Sequence, residues 1–141
     1  MAFERIPFAP LAPETVVVVT GSRVCTANGK HWVFTILDEL QPYFVIQGGA
    51  LGIDRAARDW CRDRVVRCAQ VDPPWGKLRH AAGPVRNGWM LDLCPDCVVA
   101  FPGDVGTLNM CDQARKRGVR IIQAWNGPRR SAKPPVQQRR G

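Results

Sequence analysis

Short apolar runs that lead into glycine-containing loops recur along this chain, and each is followed by a segment with helical spacing. The first run is four consecutive valines at positions 16–19, and two others lie at 43–46 and 97–101. Uninterrupted apolar runs of this kind are typical of strands that are buried on both faces of a parallel sheet. Since parallel neighbours must be joined by crossover segments, which are usually helices, the alternation predicts an α/β fold.

The remaining elements complete this pattern. Helices are predicted at 31–40, 53–64, 85–93 and 107–117, and further strands at 65–71 and 119–125. The expected fold is a Rossmann-like, doubly wound parallel sheet of about five strands with helices on both faces. The chain of 141 residues has room for a single such domain. We divide it into an N-terminal extension at 1–14, the domain at 15–126 and a tail rich in proline and arginine at 127–141.

The tail carries much of the positive charge. It contains five basic residues and no acid, so it holds +5 of the net charge of +8. Because it has few large apolar side chains, it cannot offset its ordering entropy by burial, and we expect it to be disordered. A solvated basic tail and a non-specific contact with RNA or DNA both fit this composition.

The cysteines bear on the compartment and on metal binding. Six of them are scattered through predicted core elements, which is typical of reduced thiols in a cytoplasmic protein, and no apolar stretch has the length of a membrane span. Cys94 and Cys97 form a CxxC motif, which fits half of a zinc site, a redox pair or a plain turn before a strand. There is no second CxxC, and His31 and His80 lie at no ligand-like spacing, so we expect neither a metal nor a cofactor.

The first glycine loop follows the valine run. Gly21 would let the backbone approach a ligand, Ser22 supplies a hydroxyl, and Arg23 can bind a phosphate or carboxylate with its planar fork. In a parallel sheet such loops meet at the carboxyl ends of the strands, where ligands bind. The loop therefore predicts one wall of a ligand site.

The second glycine loop follows the run at 43–46. Gly48, Gly49 and Ala50 precede a helix that carries Asp54 in its first turn. Glycines at this place allow backbone N–H groups to face an anion, although a tight turn explains them equally well.

The third loop contains Pro102, Gly103, Gly106 and Thr107. Thr107 is predicted to cap the following helix and also to donate to a phosphate, with a cap alone as the alternative. None of the three loops has the glycine spacing of the dinucleotide fingerprint or the Gly-Lys-Ser/Thr of a P-loop. A phosphate site here would be of another type.

Arg86 and Asn87 follow a Gly-Pro pair and are predicted to begin a helix. An arginine at a helix N-terminus is electrostatically unfavourable, so an anionic ligand would compensate it. The alternative is an ordinary exposed helix arginine.

The order and spacing of these segments resemble the SLOG superfamily of Rossmann-like nucleotide-binding domains (Smf/DprA and LOG), and within it the YspA-related, YpsA-like branch of bacteria and phages. The resemblance covers about 16–125 and is carried by 20–23, 48–54, 82–87 and 101–107. It implies a nucleotide-derived ligand, such as a nucleoside phosphate, an ADP-ribose derivative or an NAD-like compound. It also implies a homodimer or higher homo-oligomer in the cytoplasm, which is the host cytoplasm if the protein is phage-encoded.

The LOG enzymes of this superfamily hydrolyse the N-glycosidic bond of nucleoside monophosphates with an arginine and a glutamate. The arginine matches Arg86, the one candidate catalytic residue, and Met90 follows it as in LOG-like sequences. Asp104 replaces the second glycine of the third loop, and Met110 stands at the glutamate position. A methionine side chain can neither transfer a proton nor stabilise an oxocarbenium-like centre.

The resemblance therefore predicts a module that senses or sequesters a nucleotide-derived ligand. One alternative is a LOG-like hydrolase that uses Asp54 or Asp104 as its acid, although both aspartates also suit capping or turn roles. A further alternative is DprA-like nucleic-acid binding. The candidate ligand-binding residues are Gly21, Ser22, Arg23, Gly48, Gly49, Ala50, Asp54, Arg86, Asn87, Pro102, Gly103, Gly106 and Thr107.

Overall fold

The structure, a computed structural model, describes residues 5–74, 76 and 81–124. Its strands are β1 Val16–Thr20, β2 Phe44–Gln47, β3 Arg67–Gln70, β4 Cys97–Ala100 and β5 Arg120–Gln123. Its helices are α1 Ala27–Leu40, α2 Ile53–Arg64, α3 Ala82–Asp92 and α4 Val105–Lys116. The tail at 127–141 and its predicted disorder lie outside the described residues.

All five strands are parallel and lie in the order β3-β2-β1-β4-β5. The α/β fold with a doubly wound parallel sheet, predicted from the alternation of elements, is confirmed. The chain first builds the sheet outward from β1 to β3 and then crosses to β4 on the other side of β1. The loops after β1 and β4 therefore diverge, which opens a crevice at the carboxyl ends of the strands.

The core has two layers, one on each face of the sheet. Val17 and Val19 of β1 point to the face covered by α1 and α2, where Leu37 and Trp60 are buried with them. Val18 points to the face covered by α3 and α4. Burial of the valine run on both faces agrees with the sequence prediction and makes β1 the central strand.

Three helices begin earlier than predicted, and side-chain caps decide the first turn of two of them. α1 begins four residues early, where the Thr26 hydroxyl accepts the Gly29 N–H at 3.0 Å. α4 begins after Asp104, whose carboxylate accepts the Gly106 N–H at 3.4 Å. α3 begins at Ala82, and Pro84 lies in its first turn, where the missing N–H has no intrahelical partner to lose.

β3 is shorter than predicted because its first residues belong to the end of α2. Val65 adopts a left-handed conformation there, with φ of 58°, and its N–H bonds back to the Cys61 carbonyl. Within the described part of the chain, no helix combines the length and the apolar character of a membrane span.

Candidate functional site

A cavity of about 910 Å³ opens at the crevice between the loops after β1 and β4. This volume lies at the upper end of the range of small-molecule sites, roughly 300–1,000 Å³. A smaller cavity of about 470 Å³ adjoins it. Of the predicted site residues, those that line the larger cavity are Gly21, Arg23, Ala50, Asp54, Arg86, Asn87, Gly106 and Thr107. Gly48 and Gly49 line the smaller one, and Ser22, Pro102 and Gly103 line neither.

Ser22 and Pro102 connect the loops instead of lining the cavity. The Ser22 N–H donates to the Pro102 carbonyl, and the Ser22 carbonyl accepts the Ile53 N–H, both at 3.0 Å. The Ser22 hydroxyl accepts the Val24 N–H at 2.9 Å. The hydroxyl predicted to face a ligand therefore stabilises its own turn, and its role toward a ligand stays a prediction.

Two glycines allow the loops to pack without space for a side chain. Gly52 has φ of 86°, and a Cβ there would collide with the Ser22 carbonyl oxygen and the Arg23 carbonyl carbon. A Cβ at Gly103 would collide with the Thr107 hydroxyl and would lie 3.0 Å from the Gly21 carbonyl carbon. These glycines are required for contact between loops.

Thr107 is not the cap of α4. Asp104 occupies that position, and Thr107 is the third residue of the helix. Its side chain is buried, with the residue 7% exposed, and lies on the cavity wall. Among the described residues its hydroxyl has no hydrogen-bond partner. A buried hydroxyl left unsatisfied is rare in proteins. The Oγ1 atom itself is enclosed beside Gly103, so the side chain must rotate before a ligand in the cavity can bind it.

Arg86 lies in the second turn of α3, so its predicted place at the helix N-terminus was wrong. Its Nη1 donates to the Gly48 carbonyl at 2.7 Å, and its Nε donates to the Asn87 side chain at 3.2 Å. Burial lowers the pKa of Arg86 from its usual value, and the charge of Arg23 acts in the same direction. The guanidinium stays charged, and its position is fixed from two sides.

The two cavity arginines repel each other. Neither Arg23 nor Arg86 belongs to any ion pair within 4.0 Å in the described ranges. The carboxylates of Asp54 and Asp72 act on Arg86 only at longer range, where they raise its pKa. The cavity thus holds two arginines without an ion-pair partner in these ranges, and two aspartates, Asp54 and Asp104, also line it.

Asp54 is buried in the first turn of α2, with 7% of the residue exposed. Its Oδ2 accepts the Ala50 N–H at 3.2 Å, so the turn role considered for it is present. Burial raises the pKa of this carboxyl, while the Ala50 N–H and the Arg86 charge lower it. For Asp104 the structure shows the capping role.

Asn87 joins α3 to α4 from a buried position. Its Nδ2 donates to the Gly106 carbonyl at 3.3 Å and to the Asn109 side chain at 3.1 Å. Asn109 also lines the cavity, and the sequence analysis missed it because its helical spacing resembles that of a solvent-facing residue.

Gln47, which was not among the predicted site residues, is fully buried at the end of β2. Its Oε1 accepts the Gly49 N–H at 2.6 Å, and its Nε2 donates to Gln70 at 3.1 Å. The sequence contained a signal for this buried residue, because a single glutamine ends an otherwise apolar strand directly before two glycines.

Met110, which the resemblance aligns with the glutamate of LOG-like enzymes, is completely buried in the core with Val18 and Ile46. It does not line the cavity, whereas Met90 does.

The CxxC segment forms the turn that leads into β4. Asp96 binds the start of β1 twice, because its N–H donates to the Val16 carbonyl and its carboxylate accepts the Val16 N–H, both at 2.8 Å. Cys94 and Cys97 are free thiols, and burial raises the pKa of Cys97 to about 11. Among residues 5–74, 76 and 81–124, no group of three or more His, Cys, Asp or Glu could hold a metal ion. His80 lies outside these ranges.

The cavity offers the Arg23 guanidinium from the loop after β1 and the Arg86 guanidinium and Thr107 hydroxyl from helices, which together suit an anionic ligand with further polar groups. Its walls come from both faces of the sheet, since Asp54 belongs to α2 and Arg86 to α3. In the comparisons with known proteins, no family model and no curated protein matches this chain.

Proposed function

We propose that the larger cavity binds a phosphate-bearing, nucleotide-derived ligand, and that the chain is a sensing or sequestering module of the SLOG type. The buried Thr107 hydroxyl without a partner carries this proposal. It lies in the first turn of α4, where the helix dipole favours negative charge and backbone N–H groups lack intrahelical partners. A phosphate oxygen placed there would satisfy the hydroxyl.

The arginines support a phosphate in particular. Neither guanidinium has an ion-pair partner within 4.0 Å in the described ranges, so both keep N–H donors for a phosphate, while the Asp54 carboxylate acts on the Arg86 charge more strongly than Arg23 does. Arginine binds phosphate through paired N–H donors, which a neutral ligand cannot use equally well. The cavity is also much larger than inorganic phosphate requires, which leaves space for a nucleoside.

Thr107→Val tests the role of the hydroxyl. Valine keeps the branched shape and removes an unsatisfied buried group, so the free energy of unfolding should stay the same or rise slightly. Affinity for a bound nucleotide should fall about tenfold, because a hydrogen bond to a charged group contributes roughly 1.5–3 kcal/mol. Calorimetry with a panel of nucleoside mono-, di- and triphosphates, cyclic nucleotides and ADP-ribose would measure this.

Thr35→Val is the matched control. Thr35 also lies in a helix, but its hydroxyl donates to the His31 carbonyl at 3.0 Å, and it does not line the cavity. Its substitution should leave nucleotide affinity unchanged. Equal affinities of Thr107→Val and wild type would contradict a phosphate at α4, and a wild-type protein that binds no nucleotide of the panel would contradict the proposed function.

A LOG-like hydrolase is the second candidate, and the buried carboxyl of Asp54 favours it. A carboxyl with a raised pKa on a cavity wall is suited to act as a general acid. Asp104 fits this role less well, because its carboxylate caps α4.

The pH dependence of turnover distinguishes the hydrolase from the binding module. Nucleoside monophosphates incubated with the protein should release free base, which chromatography detects. The rate should fall as the pH rises through the raised pKa of Asp54, since a general acid must carry its proton. Binding without release of base at any pH would leave the binding module as the function.

The homo-oligomer and the cytoplasmic location stay predictions. Light scattering on the purified protein measures the oligomeric state. DprA-like nucleic-acid binding was linked to the tail, which lies outside the described residues.

A further inference from the structure

Two of the six cysteines lie together on the face of the sheet that α1 and α2 cover, and neither lines a cavity described above. Cys61 belongs to the last turn of α2, and Cys68 is the second residue of β3. Val65 and Val66 alone separate the helix from the strand, and Val65 forms a left-handed turn there. The two side chains therefore pack into the same core layer, where each affects the ionisation of the other.

The surroundings of Cys68 favour its thiolate. A hydrogen bond from the Cys61 thiol lowers the pKa of Cys68. The Gln47 amide, whose Nε2 donates to the Cys68 Sγ at 3.9 Å, and the positive charge of Arg58 lower this pKa as well, while burial opposes them. β3 is an edge strand and Cys68 is only half-buried, so a small molecule can reach its sulfur.

Cys61 has the opposite environment. Its pKa is raised, first by the hydrogen bond to Cys68 and then by burial, since the residue is only 2% exposed. Its place in the last turn of α2 adds to this effect, because the negative end of the helix dipole disfavours an anion there. Cys61 is thus a protonated thiol beside a more acidic one, which is the arrangement of a resolving thiol and a nucleophilic thiol.

The cysteines of the CxxC segment are less suited to oxidation. The Cys94 Sγ donates to the Asp92 carbonyl at 3.6 Å. Burial raises the pKa of Cys97 to about 11, so this thiol stays protonated at neutral pH. The spacing in sequence therefore indicates one pair, whereas the fold brings together another, whose members are separated by 62–67.

We propose that Cys61 and Cys68 form an oxidation site that reduces hydroperoxides. The Cys68 thiolate attacks one peroxide oxygen, so that an S–O bond forms and the O–O bond breaks. The released alkoxide or hydroxide takes up the proton that Cys68 lost. The Cys61 sulfur then attacks the Cys68 sulfur, and an S–S bond forms as the S–O bond breaks and the hydroxyl leaves with the Cys61 proton as water. The two thiols thus give two electrons to the peroxide, and a dithiol reductant restores them.

Peptide mapping of the full chain tests this site. Trypsin places the two cysteines on separate peptides, because three arginines lie between them. The protein is reduced, freed of reductant, treated with an equimolar amount of hydrogen peroxide and alkylated before digestion. Mass spectrometry should find the peptides 59–62 and 68–77 joined by a disulfide. Cys68 should be consumed about tenfold faster than the exposed Cys94, because the thiolate is the reacting species.

Two substitutions separate the roles of the two thiols. Cys61→Ser removes the resolving thiol, so the sulfenic acid at Cys68 should persist and dimedone should label it more strongly than in wild type. Cys68→Ser should leave Cys61 unoxidised, because a buried, protonated thiol reacts slowly. Cys94→Ser is the control, and it should form the disulfide at the wild-type rate.

The wild-type protein decides the proposal even if a variant fails to fold. Peroxide that joins Cys94 to Cys97, or that leaves Cys61 and Cys68 free for alkylation while Cys94 is oxidised, would overturn it. Oxidation of Cys68 to a sulfinic acid without a disulfide would refute the role of Cys61. None of these results depends on nucleotide binding, so the oxidation site is tested separately from the proposed function.

Discussion

Gly52→Ala is expected to lower the free energy of unfolding by about 3 kcal/mol. Two costs add at this position. The backbone has φ of 86°, which residues with a side chain adopt only with strain, and the new Cβ would collide with the Ser22 carbonyl oxygen and the Arg23 carbonyl carbon. Because backbone atoms cannot rotate away, one of the two loops must move.

Substitutions of two other glycines distinguish the cost of the backbone conformation from the cost of the collision. Gly118 also has positive φ, of 73°, but a Cβ there meets nothing within 4 Å, so Gly118→Ala should cost only about 1 kcal/mol. Gly83 lies in α3 with nothing within 4 Å, and Gly83→Ala should stabilise the protein by about 0.5 kcal/mol. Urea unfolding of the three variants measures the series. Equal losses for Gly52→Ala and Gly118→Ala would show that the contact between loops relaxes freely.

Arg86→Ala is expected to weaken nucleotide binding about tenfold to a hundredfold. This range corresponds to the loss of one charge-assisted hydrogen bond, which contributes roughly 1.5–3 kcal/mol. The guanidinium is fixed by the Gly48 carbonyl and Asn87, so it is preorganised for a phosphate. Stability should change little, because the freed Gly48 carbonyl borders a cavity that water can enter.

Calorimetry at two ionic strengths measures this effect. Wild-type affinity should fall with added salt, and Arg86→Ala should show a weaker dependence because one cation is missing. Arg86→Lys keeps the charge without the planar fork and should bind with intermediate affinity. Arg62→Ala, which removes an exposed arginine of α2, is the control. An unchanged affinity in Arg86→Ala would remove this residue from the site.

The fold could be predicted because the sequence patterns that indicate it depend on burial. The valine run of β1 had to be covered on both faces, and alternation with helices required parallel strands, so the sheet could be predicted. The helix starts could not be predicted equally well, because they depend on which of several neighbouring polar residues forms the cap. Thr26 and Asp104 form the caps that the structure shows.

The candidate site was predictable only in part, for a related reason. Topology determines which loops meet, so the convergence of Arg23, Arg86 and Thr107 on one cavity could be expected. It does not determine which polar groups bind one another. The Ser22 hydroxyl is used within its own turn, whereas the Thr107 hydroxyl has no partner among the described residues, and neither result can be derived from residue type alone.

The unequal exposure of the two arginines has a consequence for kinetics. Arg23 is exposed and lines both cavities, while Arg86 is half-buried and held by hydrogen bonds. A charge at a rim acts mainly on the rate of encounter, and a desolvated, fixed charge acts mainly on the lifetime of the complex. Arg23 would therefore attract a phosphate-bearing ligand from solution, and Arg86 would slow its escape, so that each arginine controls one of the two rate constants of binding.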